Sequence, residues 1–179
     1  IAYEIRLQQA MEENLLCPFH YFGITDLSII GDDKVGRDFS MLTSDERVKH
    51  IIEQVGYYGY SGERVKGLIF CSSIRETQEL SCKFNKIINP ETGRYFRTIA
   101  LNGEATEQER QDAFERLAMN ENKENVDKQA LDYIFSVEIL NEGVDIVEVN
   151  QVIMLRPTQS PIVFIQQLGR GLRKADGKE

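Results

Sequence analysis

Two periodicities divide this chain. The run Gly67-Leu68-Ile69-Phe70-Cys71 is apolar at nearly every position, as expected for a strand buried on both faces. The stretches 97–101, 131–135 and 149–155 read as three more strands. Between them the spacing becomes helical. Ile74, Leu80, Phe84, Ile87 and Ile88 mark a helix over 74–88, and Ala113, Phe114, Leu117 and Ala118 mark another that starts at Thr106. Thr106 with Glu109 three residues on has the form of a capping box. Upstream, Thr43 or Ser44 caps a helix with Asp45 and Glu46 in its first turn. Val48, Ile51, Ile52 and Val55 lie on one face of it, and Gly56 marks its end. Strands alternating with helices at this spacing predict βαβ units. The expected fold is therefore α/β, a parallel sheet with right-handed crossovers between two helical layers.

The first sixty residues have a different character. Residues 4–13 predict a short amphipathic helix with Ile5, Leu7, Ala10 and Met11 as its apolar positions. Residues 15–24 form an extended apolar run in which Pro18 bars an interior helix and confines any strand to an edge or to its start. The run reads as a connector crossing a surface. Residues 25–44 are polar and rich in Gly and Asp. Tyr57, Tyr58 and Tyr60 follow, and packing is a better reading of them than base stacking. The expected organisation is a connector and helical segment over 1–62 and the α/β domain over 63–179. Since the chain opens on Ile1, it reads as a piece of something longer.

Composition adds exclusions. A chain of 179 residues with 41% apolar content forms a real core, yet has no run near the roughly 18 apolar residues that span a membrane. Cys17, Cys71 and Cys82, with His20 and His50, offer no zinc spacing, so no metal site is expected and the cysteines read as reduced thiols of a cytoplasmic protein. The net charge of −8 argues against a general nucleic-acid coat, but a local groove can still hold a backbone.

Candidate chemistry follows from the fold. In parallel sheets ligands bind beyond the carboxyl ends of the strands. Ser72 and Ser73 follow the first predicted core strand, Asn102 and Gly103 the second, and Ser136 the third. Further on, Gly143 permits close backbone approach to a ligand and Asp145 can accept ribose hydroxyls, although an ordinary Asp-stabilised turn is also compatible. The stretch from Phe164 to Arg173 predicts a helix, with Pro161 in its first turn. Gln166, Arg170 and Arg173, spaced four and three apart, share one face, and Leu168 and Leu172 lie on another. Gly169 and Gly171 remove bulk at a cost of about 1 kcal/mol each. Two guanidinium forks one turn apart suit a polyanion.

Gln166, Gly169, Arg170 and Arg173 fill the pattern Q-x-x-G-R-x-x-R, which resembles motif VI of superfamily 2 helicases. The order Phe70-Cys71-Ser72-Ser73, Leu101-Asn102-Gly103, Glu142-Gly143-Val144-Asp145 and then motif VI resembles motifs IV, V and VI of the second RecA-like domain of these proteins. Helicases akin to restriction-enzyme motor subunits look most similar. The resemblance runs from about Val65 to Arg173 and implies a P-loop-NTPase-type, RecA-like helicase C-terminal domain. It implies that Arg173 is the arginine finger, that Arg170 and Gln166 reach the γ-phosphate or its attacking water, and that Gly143 and Asp145 face the ATP. It also implies that Ser72, Ser73 and Ser136 contact nucleic acid, DNA rather than RNA. Val137 stands where motif V often carries Thr, so that contact falls to backbone or to Ser136.

The chain carries no G-x-x-x-x-G-K-[ST] loop and no Asp-Glu pair after an apolar strand to hold Mg²⁺. The resemblance therefore implies a first RecA-like domain upstream that holds ATP and Mg²⁺, and no ATP hydrolysis by this piece alone. A non-motor interaction scaffold on the same fold is the alternative. A Rossmann-type enzyme is disfavoured by the lack of G-x-G-x-x-G after the first strand.

Overall fold

A computed structural model describes residues 20–23, 43–60, 62–119, 129–137 and 149–155. Its elements in chain order are β1 (His20–Gly23), α1 (Asp45–Tyr58), β2 (Gly67–Phe70), α2 (Ile74–Phe84), β3 (Thr98–Ala100), α3 (Glu107–Ala118), β4 (Tyr133–Ser136) and β5 (Gln151–Met154). The five strands form one sheet in the order β1-β5-β2-β4-β3, and every pairing is parallel. The four strands expected from the apolar runs are all present. The α/β architecture is the predicted RecA-like one, with a fifth strand added.

That fifth strand corrects one expectation. Part of the run 15–24, read as a surface connector, is β1, which pairs with β5 in the register His20↔Gln151 to Gly23↔Met154. It lies at the sheet edge, where a strand close behind Pro18 is tolerated. A parallel pairing across more than a hundred residues leaves no local signature.

The sheet is buried on both faces because its strands are apolar at almost every position. On one face Ile69 and Cys71, Tyr133 and Phe135, and Ile153 and Leu155 pack with Val48 and Ile51 of α1 and with Leu80 and Phe84 of α2. Phe84 is central to this layer, with ring centroids 5.1 Å from Phe135 and 5.2 Å from Phe96. Alternation sends Leu68, Phe70, Ile134, Val152 and Met154 to the other face. There α3 packs against β4 and buries Ala113, Phe114 and Leu117. The three layers are thus helix, sheet and helix.

Local signals set the helix starts. Ser44 caps α1 by accepting the Arg47 N–H at 3.2 Å. The Thr106–Glu109 capping box of α3 is formed in both directions, at 3.1 and 2.8 Å. By contrast α2 ends at Phe84, earlier than the periodicity over 74–88 predicts. Asn85 explains the stop. Its amide accepts the Thr98 N–H at 2.8 Å and donates to the Thr98 carbonyl at 3.2 Å, closing the exposed edge of β3. The chain then turns through 89–94, and Ile88 meets Tyr95 in an antiparallel bridge.

One row of the sheet depends on a glycine. Gly67 lies in register with Tyr133 on one side and Gln151 on the other. The Tyr133 ring crosses over Gly67, so its hydroxyl donates to Gln151 Oε1 at 2.7 Å, two strands away. Gln151 in turn donates to the Gly59 carbonyl at 2.8 Å, tying the sheet to the end of α1.

Candidate functional site

Because all strands are parallel, their carboxyl ends lie along one edge. The Cys71 N–H donates to the Ser136 carbonyl at 2.8 Å, Leu101 to Phe135 at 2.9 Å, and Leu155 to Phe70 at 2.9 Å, which aligns the departing chains there. Ser72 and Ser73 are exposed at this edge, between β2 and α2. Ser136 sits at the end of β4 but is only 4% exposed, so its hydroxyl differs from the expectation of an open contact. Asn102 is half-buried and forms an Asx turn, its Oδ1 accepting the Glu104 N–H at 2.8 Å on the way to the cap of α3.

The Ser72–Ser73 corner is held from beneath. Ser73 caps α2, its Oγ accepting the Glu76 N–H at 3.2 Å. The Glu76 carboxylate reaches back to accept the Ser72 N–H at 3.0 Å. Its other oxygen meets Arg47 Nη1 of α1 at 2.8 Å, and the two side chains are 0% and 1% exposed. A buried carboxylate is stable here because the guanidinium, a backbone N–H and the positive end of a helix all face it. Ser73-x-x-Glu76 is a capping-box pattern readable from the sequence. Nothing local points to Arg47, 29 residues away, as its partner.

The corner is therefore rigid, and it presents hydrogen-bond donors. The N–H groups of Ser73 and Ile74 donate to nothing among the described residues, and Ile74 is 44% exposed. A helix N-terminus with open N–H groups and adjacent hydroxyls favours an anion such as a phosphate. Cys71, just below, is no nucleophile. Burial raises its thiol well above the ordinary value, the Glu76 charge adds to this, and Arg47 offsets only part.

Tyr58 and Tyr60 pack against the core, whereas Tyr57 is 81% exposed. They belong to the end of α1, which faces the start of β5 and lies away from the serine edge. Among the described residues no group of His, Cys, Asp and Glu could hold a metal ion, and no helix is long and apolar enough to cross a membrane. Gly143, Asp145, Gln166, Arg170 and Arg173 lie outside the described residues, as does the predicted helix over 164–173.

Comparison with known proteins agrees with this architecture. Residues 46–175 match the family model described as "Helicase conserved C-terminal domain". A Methanocaldococcus jannaschii protein named "Putative ATP-dependent RNA helicase MJ1505" is 27% identical over 169 residues, covering 84% of this chain. The match takes in 19% of that relative's length, so the chain corresponds to one part of a much larger protein. With its parallel sheet, its helices on both faces and a family match running from α1 to beyond β5, the chain belongs to the helicase conserved C-terminal domain family.

Proposed function

We propose that this chain is the second motor domain of an ATP-dependent nucleic-acid helicase or translocase of superfamily 2, working with a first RecA-like domain of the same cytoplasmic protein. The observation that carries the reading is the exposed Ser72–Ser73 corner, held by Glu76 and Arg47 at the carboxyl edge of the sheet. Ser72 and Ser73 hold a backbone phosphate through hydroxyl and N–H groups, which fix position without reading sequence. Ser136 lies beneath that edge and supports it. Gly143 and Asp145 face the nucleotide. Gln166 and Arg170 reach the γ-phosphate, and Arg173 is the arginine finger, a role worth about 10³–10⁵ in rate in other NTPases. ATP arrives with Mg²⁺, which is held mainly by the first domain. In this reading the segment over 1–62, which also supplies β1 and α1 to this fold, follows that domain, and 63–179 carry the motifs.

The substrate polymer is nucleic acid. The motif pattern favours DNA, while the relative's name specifies RNA. The test is ATPase activity of the full-length protein with no polymer, single-stranded DNA, duplex DNA or RNA, for wild type and Arg173→Ala. Stimulation by one polymer, lost in the mutant, supports the motor and names its substrate. Absence of ATPase activity under all four conditions refutes the motor and leaves the non-motor scaffold. The 179 residues alone are expected not to hydrolyse ATP, and turnover by them that Arg173→Ala abolishes would overturn that expectation.

A further inference from the structure

One sequence pattern occurs twice in this fold and closes only once. Ser73-x-x-Glu76 and Thr106-x-x-Glu109 each place a hydroxyl at a helix cap and a Glu three residues on. In α3 the pattern closes fully. Thr106 Oγ1 accepts the Glu109 N–H at 3.1 Å, and Glu109 Oε2 accepts the Thr106 N–H at 2.8 Å. In α2 only the first half forms, with Ser73 Oγ accepting the Glu76 N–H at 3.2 Å. The Glu76 carboxylate does not return to the Ser73 N–H. It accepts the N–H of Ser72, one residue earlier, at 3.0 Å, and its other oxygen meets Arg47 Nη1 at 2.8 Å. The cap N–H that Glu109 occupies in α3 is therefore left open in α2.

Burial accounts for the difference. Glu109 is exposed, whereas Glu76 is 0% exposed beneath the corner. An unpaired carboxylate is costly to bury and prefers the solvent side of a helix start, where the cap N–H and the positive helix end both face it. Arg47 reverses that preference by offering a charge-assisted bond in the interior. It is held in place to do so. Ser44 caps α1 one residue before Asp45, and Lys83 of α2 donates to the Thr43 carbonyl and to Asp45 Oδ1. The outcome decides what stands at the corner. A closed box sets a carboxylate on the Ser73 N–H, where it occupies the donor and repels a phosphate. With Glu76 drawn inward, that donor stays open beside the Ser72 and Ser73 hydroxyls.

We propose that Arg47 is a positioning residue for polymer binding: it holds Glu76 off the Ser73 N–H and so keeps open the donor that takes a backbone phosphate. The inference rests on reading the Ser72–Ser73 corner as a phosphate contact of a nucleic-acid motor domain. Arg47 touches no polymer and acts through Glu76. Its role is separable from support of the fold, because two apolar side chains of similar volume join buried helices as well as an ion pair does. They would not divert a capping carboxylate.

The test is fluorescence anisotropy of the full-length protein with a labelled thymidine oligonucleotide and its uridine counterpart, alongside polymer-stimulated ATPase activity. Arg47→Met frees Glu76 to close the box and is expected to weaken binding about 10-fold. The polymer concentration for half-maximal ATPase should rise equally, with kcat at saturating polymer unchanged. A merely structural arginine would instead lower kcat and leave that concentration in place. Two double variants remove the buried charge altogether, so they decide the matter even where Arg47→Met does not fold. With Arg47→Met, Glu76→Gln still carries a side chain that closes a capping box and should keep binding about 10-fold weak. With Arg47→Met, Glu76→Met cannot close it, leaves the main-chain bond to Ser73 Oγ in place, and should restore wild-type affinity. Equal affinity in the two double variants, or wild-type affinity in Arg47→Met, overturns the proposal and leaves the motor reading intact. If wild type binds neither oligonucleotide, both readings fall.

Discussion

Substituting Gly67 by Ala probes the tightest point of the sheet. A Cβ at Gly67 would stand 2.4 Å from two ring carbons of Tyr133, well inside van der Waals contact. The ring has little room to retreat, because it is 1% exposed and lies against Phe84 and Phe96, each with its centroid 6.2 Å away. Forcing it aside is an overpacking strain of about 1–3 kcal/mol. The displacement also breaks the 2.7 Å bond to Gln151 and leaves buried polar atoms unsatisfied, which costs about 1–3 kcal/mol more. Alanine's lower backbone entropy in the unfolded chain returns about 0.5–1 kcal/mol. Gly67→Ala is therefore expected to destabilise the domain by about 2–4 kcal/mol, read as a lower urea midpoint at an unchanged m-value. Adding Tyr133→Leu removes the ring and should make the pair less destabilising than the sum of its single changes. A neutral or stabilising Gly67→Ala, or strict additivity in the double variant, would refute the argument.

Three further outcomes follow from the same structure. Glu76→Ala leaves Arg47 buried without its carboxylate and is expected to cost about 3–5 kcal/mol in urea unfolding, most of it regained by adding Arg47→Met; a loss below 1 kcal/mol would show that the pair does not hold α1 to α2. Asn85→Ala opens the Thr98 N–H and carbonyl on the β3 edge, so light scattering should report self-association that wild type lacks. Burial holds the Cys71 thiol and the Tyr133 phenol well above their ordinary values of 9.0 and 10.0, so the folded chain keeps protons that the unfolded chain loses at high pH. The contribution of these two groups is thus fully present below about pH 8 and declines as pH rises past 9 and 10, by up to about 1.4 kcal/mol per pH unit for each group. Urea midpoints across that range check the sign, and Tyr133→Phe should flatten the upper part of the decline.

Much of this was open to inspection in the residues alone. Apolar runs at Gly67–Phe70 and 149–155 were strands because a stretch with no polar side survives only when both faces are covered. Thr106 with Glu109, and Ser44 ahead of Asp45, marked helix starts because a cap is a contact between near neighbours. The parallel order placed Ser72, Ser73 and Ser136 at one end of the sheet without any knowledge of contacts.

What the chain alone determined, then, was its periodicities, its caps and the residue types at the strand ends, since each is written within a few neighbouring positions. Only the tertiary structure decided the rest. It placed β1 beside β5, ended α2 at Asn85 in favour of the β3 edge, matched Arg47 to Glu76 and laid Tyr133 across Gly67. The reason is common to all of these. Their partners are distant in sequence, and a long-range pairing is selected by how well the assembled layers fill space and satisfy buried charge. No local window of residues carries that information.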